Sequence, residues 1–273
     1  MRKKFLLLLA LRFLLAGVIF VLPAVRDHAP DQTKESATEE TESETPTETE
    51  TESETETEET TEEETEGPGD PVDREKVETH LIIASDTHYM SPSMTDYGAA
   101  FDSLVNSNDG KVIRYQPQLW QAFKSEVLAA NPDALILSGD LSLNGEKANH
   151  LEFTERLREI EEAGVPVYVI PGNHDINKPD AGEYFGDQRT DVESVTSEEF
   201  REIYADFGYN EAKSGAPDSL SYLVELNDTT WLMMLDTTVC EPENEVYGEI
   251  KEETLEWMEE CLKEAYADSC GPP

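Results

Sequence analysis

Basic residues are scarce in this chain of 273 residues: 20 Lys and Arg stand against 61 Asp and Glu, for a formal net charge of -41. A surface so acidic repels phosphate polymers unless a metal or a local basic patch intervenes, so no nucleic-acid polymer is expected as a partner. Cysteine is almost absent too, with only Cys240, Cys261 and Cys270. Three thiols allow at most one internal bridge, and their spacing fits no metal knuckle; they are read as structural or incidental. Between Thr38 and Glu66 apolar residues are missing altogether, since Thr, Glu and Ser are interrupted only by Pro46. Nothing there offsets an ordering cost of about 1 to 2 kcal/mol per residue, so the stretch is expected to be disordered and stretched into a stalk by its own charge.

What is present first is a leader. Arg2, Lys3 and Lys4 precede a nearly unbroken apolar run from Phe5 to Leu22, the pattern of a charged n-region followed by an apolar h-region. The run is long enough to span a bilayer, yet Arg12 lies in its middle. Residues 1–26 are therefore expected to be a secretion signal or a membrane anchor acting through residues 5–22, and the protein extracellular or displayed at the cell surface. Residues 27–71 follow as the acidic linker, with Gly67, Pro68, Gly69 and Pro71 marking its end, and residues 72–273 as one folded domain.

That domain alternates. A short apolar strand from His80 to Ser85 precedes a helix at Gln118–Ala130, whose apolar spacing runs through Leu119, Trp120, Phe123, Val127 and Leu128 until Asn131 and Pro132 end it. A strand at Ala134–Leu137, a helix at His150–Ala163 with Leu151, Phe153, Leu157 and Ile160 on its apolar side, and a strand at Val167–Ile170 complete the run. Such alternation predicts an α/β fold of parallel strands with right-handed crossovers. The strand ends then meet at one edge, where open α/β sheets bind ligands. Beyond Asp175, Thr196 and Glu199 form a capping box, and Leu220–Leu226 with Thr230–Asp236 reads as a hairpin. A last helix is expected at Lys251–Tyr266, with Leu255, Met258 and Leu262 at helical spacing. The apolar strand Trp231–Leu235 is expected to leave an open edge.

Each parallel strand runs into polar residues: Asp86, Thr87 and His88 after the first, Gly139 and Asp140 after the second, and Gly172, Asn173, His174 and Asp175 after the third. Carboxylates, imidazole and an amide carbonyl are hard or borderline ligands, suited to Mn, Fe, Zn or Mg. The set suggests two divalent ions, with Asp140 bridging, Asp86 and His88 on one and Asn173 on the other. His150, at the expected start of a helix, is read as a capping or surface residue.

Those three motifs, each after a strand and in this order, resemble the calcineurin-like metallophosphoesterases. Gly139-Asp140-Leu141, Asn144-Gly145-Glu146 and Leu235-Asp236-Thr237 are similar to the bacterial class III cyclic-nucleotide phosphodiesterase-like group within that family. The resemblance covers roughly residues 79 to 266. It implies a metallophosphoesterase-type α/β sandwich, four-layer αββα when complete. It also implies hydrolysis of a small phosphate ester by metal-activated hydroxide, with Asp86, His88, Asp140 and Asn173 as metal ligands and His174 as the catalytic residue that contacts the phosphate or protonates the leaving group. Asn144 and Asp175 stand behind them as supports. Phosphodiesters such as cyclic nucleotides are the expected substrates. The alternatives are a phosphomonoesterase or nucleotidase of the same fold, or a truncated, surface-displayed protein that binds without turnover. The family's two later histidine motifs have no counterpart, because no histidine follows His174; a C-terminally incomplete domain lacking its last strands is therefore expected.

Overall fold

The computed structural model describes residues 19–23, 77–107 and 111–270. The Thr/Glu-rich stretch, the domain boundary expected at residue 72, and the leader apart from residues 19–23 lie outside them. Among the described residues no helix is long and apolar enough to cross a membrane.

Strand β1 is Ile19–Pro23, β2 Leu81–Ala84, β3 Ala134–Ser138 and β4 Val167–Ile170. The last three form a parallel sheet in the order β2-β3-β4, with Ala84 opposite Leu137 and Leu137 opposite Val169. Helices α1 (Ala99–Ser107), α2 (Gln116–Ala130) and α3 (Lys147–Glu161) lie along the chain between these strands. Alternate strand residues face opposite ways, and the consequence is two cores. Leu135, Leu137, Val167 and Val169 pack against Trp120 and Val127 of α2 and Phe153, Leu157 and Ile160 of α3. On the other face, Ala134, Ile136, Tyr168 and Ile170 meet Tyr222, Val224, Leu232 and Met234 of a second sheet.

That second sheet is antiparallel, in the order β1-β9-β8-β7, with β7 at Ser214–Gly215, β8 at Tyr222–Asn227 and β9 at Thr230–Met234. Its outer face, Leu223, Trp231, Met233 and Leu235, is covered by Trp257 and Cys261 of the final helix α5 (Glu252–Cys270). Helices, parallel sheet, antiparallel sheet and helix thus form four layers within the described residues. One expectation changes here. The outer edge of β9 is paired with β1, Ile19 opposite Met234 through Pro23 opposite Thr230, so it is not open, and the strand that covers it comes from within the run read as a leader. The stretches 89–116 and 178–195 hold α1 and the hairpin of β5 (Gly182–Phe185) with β6 (Gln188–Asp191), closed over Met90, Met94, Phe101, Ile113 and Tyr184.

Helix faces are also rotated from the expected ones. Leu119, Leu151 and Leu262 are about half exposed, while Thr254, Trp257 and Cys261 form the inner stripe of α5. Helix α3 starts at Lys147, earlier than expected, which turns His150 into the interior: it is wholly buried between the Tyr204 hydroxyl, 2.8 Å from Nδ1, and the Asp175 carbonyl, 3.0 Å from Nε2. Burial holds its pKa down at about 4, so the ring is neutral. The capping box of Thr196 and Glu199 forms, opening helix α4 (Ser197–Ile203). Cys240 and Cys261 are free thiols.

The end of α3 carries a pH-sensitive carboxylate. Partial burial, then Glu211 and Asp206 nearby, push Glu161 up to about 7. A carboxylate whose pKa is higher folded than unfolded binds its proton more tightly in the native state, so its contribution is present below about pH 4.5 and is lost as pH rises to about 7. Glu161→Gln should therefore match the parent at pH 4.5 and exceed it above pH 7 by about 1 kcal/mol, solvent screening at this half-exposed site reducing the full effect. Urea midpoints at the two pH values check this; an advantage that is larger at the acid end would reverse the sign and refute it.

Candidate metal centre

The parallel register brings the three strand exits together. Asp86 N–H donates to Gly139 O at 3.0 Å, His88 N–H to Asp140 O at 2.9 Å and Tyr89 N–H to Leu141 O at 2.8 Å, so the β2 exit runs beside the β3 exit beyond the sheet itself. Asp86, His88 and Asp140 all adopt left-handed backbone, with φ of 57°, 40° and 51°. Such conformations cost on the order of 1 to 3 kcal/mol each and persist where surrounding structure enforces them, typically at functional sites. Here they aim two carboxylates and an imidazole at one point. Their ligand atoms all lie within 4.8 Å of one another. His88 Nε2 is 3.8 Å from Asp86 Oδ1 and 3.7 Å from Asp140 Oδ2. These gaps exceed a hydrogen bond yet are shorter than twice a usual metal–ligand distance of about 2.1 Å, so one divalent ion can touch all partners in turn.

The donor chemistry agrees. Burial, reinforced by the charge of Lys111, lowers His88 to about 4, although Asp140 and Asp86 pull the other way. A neutral imidazole is the form that binds metal. Its Nε2 is the nitrogen that faces both carboxylates, at distances too long for hydrogen bonds, while Nδ1 is buried without a hydrogen-bond partner among the described residues.

The β4 exit supplies the remaining residues. Gly172 passes so close to Asp140 that a Cβ there would run into the carboxylate and its backbone nitrogen. Asn173 follows, its carbonyl accepting a 2.9 Å bond from Asn244 Nδ2. The backbone N–H of His174 donates to Asp140 Oδ1 at 3.0 Å, and its ring meets that of His88 edge to face at 4.9 Å. Nδ1 of His174 lies 3.1 Å from Leu143 O and 2.9 Å from Asn144 Oδ1. Both partners accept, so Nδ1 carries the proton and Nε2 is the free nitrogen. Burial lowers the pKa of His174, with Asp140 opposing and Lys111 and Lys178 assisting. Asp175 turns away from the cluster and is fully buried, accepting from Leu141 N, Gly172 N, Ser142 N and Ser142 Oγ. Burial and then Asp140 push its pKa up to about 7 against those donors. It staples the β3 exit to the β4 exit.

The profile of the family described as calcineurin-like phosphoesterase matches residues 79–268. The chain belongs to the calcineurin-like phosphoesterase family. Family members are metal-dependent hydrolases of small phosphate esters, and in this chain the cluster of Asp86, His88 and Asp140 stands at the ends of β2 and β3. A Synechococcus sp. protein named "Probable cyclic nucleotide phosphodiesterase" is 52% identical over 46 residues. That similarity spans 16% of this chain and 16% of the relative's own length.

Two contributors were missed by reading the sequence. Ser142 caps Asp175 and also accepts from Gly145 N at 2.9 Å. Glu146, noticed only as part of a motif, is wholly buried beneath Asn144. Nothing in residue type separates a buried Glu from a surface one; the apolar Leu141 and Leu143 flanking this polar loop were the available signal.

Proposed function

We propose that the protein is an exported phosphoesterase that uses two divalent ions of the Mn, Fe, Zn or Mg kind and hydrolyses small phosphodiesters, cyclic nucleotides among them. The observation that carries this reading is the ion-sized gap between Asp86, His88 and Asp140 beside a histidine whose tautomer is fixed. Asp86 and His88 would hold one ion, Asp140 both, and Asn173 the other. When bound, such ions act as Lewis acids that lower the pKa of water and offset charge developing on phosphate oxygens.

The chain's own residues do the rest. Asp140 uses Oδ2 toward the cluster and Oδ1 to hold the backbone of His174, so one carboxylate fixes the ring relative to the ligands. Leu143 O and Asn144 Oδ1 keep the proton of His174 on Nδ1, leaving Nε2 to contact a phosphate oxygen and to hand a proton to the departing alcohol once it has taken one up. Lys111 and Lys178, whose charges reach His174, partly offset that of Asp140 in a chain that is otherwise strongly acidic. The similarity to a protein named as a cyclic nucleotide phosphodiesterase favours diesters over monoesters.

Purified chain stripped with a chelator and titrated with Mn should regain hydrolysis of bis-p-nitrophenyl phosphate, with weaker action on p-nitrophenyl phosphate. Uptake of Mn without hydrolysis of either ester would favour a binding protein. Hydrolysis of the monoester alone would move the assignment to a phosphomonoesterase.

A further inference from the structure

We propose that Glu146 is the positioning residue that holds Asn144, and through it His174, in the working orientation. The inference rests on the phosphoesterase reading for the role of His174, but its geometry stands by itself. Glu146 has no exposed surface, and among the described residues it forms no ion pair. Its carboxylate instead gathers N–H donors: Asn144 N at 2.8 Å and Asn149 Nδ2 at 2.6 Å on Oε2, and Gly182 N at 3.4 Å on Oε1. Removing a carboxylate from water with no cation to offset it is unfavourable, and folds retain such groups where they serve a site.

The chemistry of the cradle explains why a carboxylate is needed. Each of its neighbours offers a hydrogen, so the side chain must accept on both oxygens. Among side chains of this length only Glu does so; Gln would turn an N–H₂ toward another donor. Oε2 fixes the backbone at Asn144, Oε1 reaches β5, and Asn149 in turn accepts from Ser91 N at 2.8 Å. From the other side the loop is held by Ser142 on Asp175 and by Gly145, where φ is +73° and a Cβ would crowd Ser194 Oγ and the Asp175 carbonyl. The loop is thus pinned at both ends. The side chain it presents to the His174 ring is the Asn144 amide, whose oxygen meets Nδ1, while Ser142 Oγ donates to the His174 carbonyl.

The test is a double-mutant cycle with Glu146→Gln and Asn144→Ala, read by kinetics on the Mn-loaded protein and, because Mn(II) broadens nearby resonances, by ¹⁵N-histidine NMR of the ring N–H of His174 in the Mg-loaded protein, assigned with His174→Asn. Glu146→Gln should lower kcat about tenfold with KM and Mn content unchanged, as loss of a supporting partner behind a site residue does. The His174 Nδ1–H signal should exchange faster with water. In the Asn144→Ala background Glu146→Gln should add little further loss, because the path is already cut. If Glu146→Gln folds poorly, Asn149→Ala, which removes one donor and keeps the carboxylate, should show a smaller change of the same kind in the ring signal. Fully additive losses, or an unchanged ring signal and kcat with only a lower melting temperature, would overturn the proposal. The ring signal reports on apo protein too, so a chain without phosphoesterase turnover would sink the functional reading while still deciding this one.

Discussion

Asp140→Asn should abolish tight binding of a divalent ion and lower hydrolysis by more than about a hundredfold, the upper end of what losing an outer partner of a metal ligand costs. Asp140 performs two tasks with two oxygens: Oδ2 faces His88 Nε2 at 3.7 Å and Oδ1 accepts the backbone N–H of His174 at 3.0 Å. An amide keeps one acceptor and turns a donor on the other side, so either the ligand or the anchor of His174 is lost. It also removes the negative charge that a bridge between two cations requires. Glu146→Gln, which leaves the ligands untouched, should be the milder change. Metal content by plasma emission, with turnover on the same samples, separates the two; equal effects with metal unaltered in both would remove Asp140 from the bridging role.

Gly172→Ala is expected to be the most damaging methyl addition in the domain. An added Cβ would overlap the Asp140 carboxylate and backbone nitrogen, and Gly139 at its back already leaves only 2.9 Å between its own ideal Cβ position and Gly172 Cα. The β3 and β4 exits touch through these two glycines, so neither can retreat without moving Asp140 or the chain leading to His174. Overpacking of this kind costs on the order of 1 to 3 kcal/mol, and the strain falls on a metal ligand. Both a lower melting temperature and loss of bound Mn should follow. Gly164→Ala provides the comparison: it meets no neighbour within 4 Å, and its φ of +98° makes it strained, so it should lower stability yet leave metal binding intact. A Gly172→Ala protein with parental Mn content would show that the glycine contact does not govern the position of Asp140.

Much of the site could be read before any coordinates, because strand exits obey simple rules. An apolar run that ends in Gly or Pro and then in polar residues must leave its sheet, and three such exits on parallel strands must lie at one edge. That reading placed Asp86, His88, Asp140, Asn173 and His174 at one edge, where the side chains of Asp86, His88 and Asp140 meet with the His174 ring beside them. The turn chemistry behind them could not be read the same way. The left-handed backbone at His88 has no signature in residue type, and the acceptors that fix the tautomer of His174 include a main-chain carbonyl of Leu143, which any residue could supply. Helix faces were legible only roughly: a shift of the α3 start to Lys147 moved His150 inside and Leu151 outside. The hairpin of β5 and β6 escaped notice because β6, Gln188–Asp191, is exposed along its whole length and has no apolar alternation to announce it. The partner of β9 was equally hidden, since the apolarity of Ile19–Pro23 reads as a leader as readily as a strand.

Crystals of the chain grown with Mn, with anomalous diffraction collected at the manganese edge, would place the ions directly. The proposed centre predicts a peak between Asp86 Oδ1, His88 Nε2 and Asp140 Oδ2, and a second that Asp140 and Asn173 would hold. Anomalous density elsewhere on the acidic surface, with none between those three atoms at saturating Mn, would contradict it.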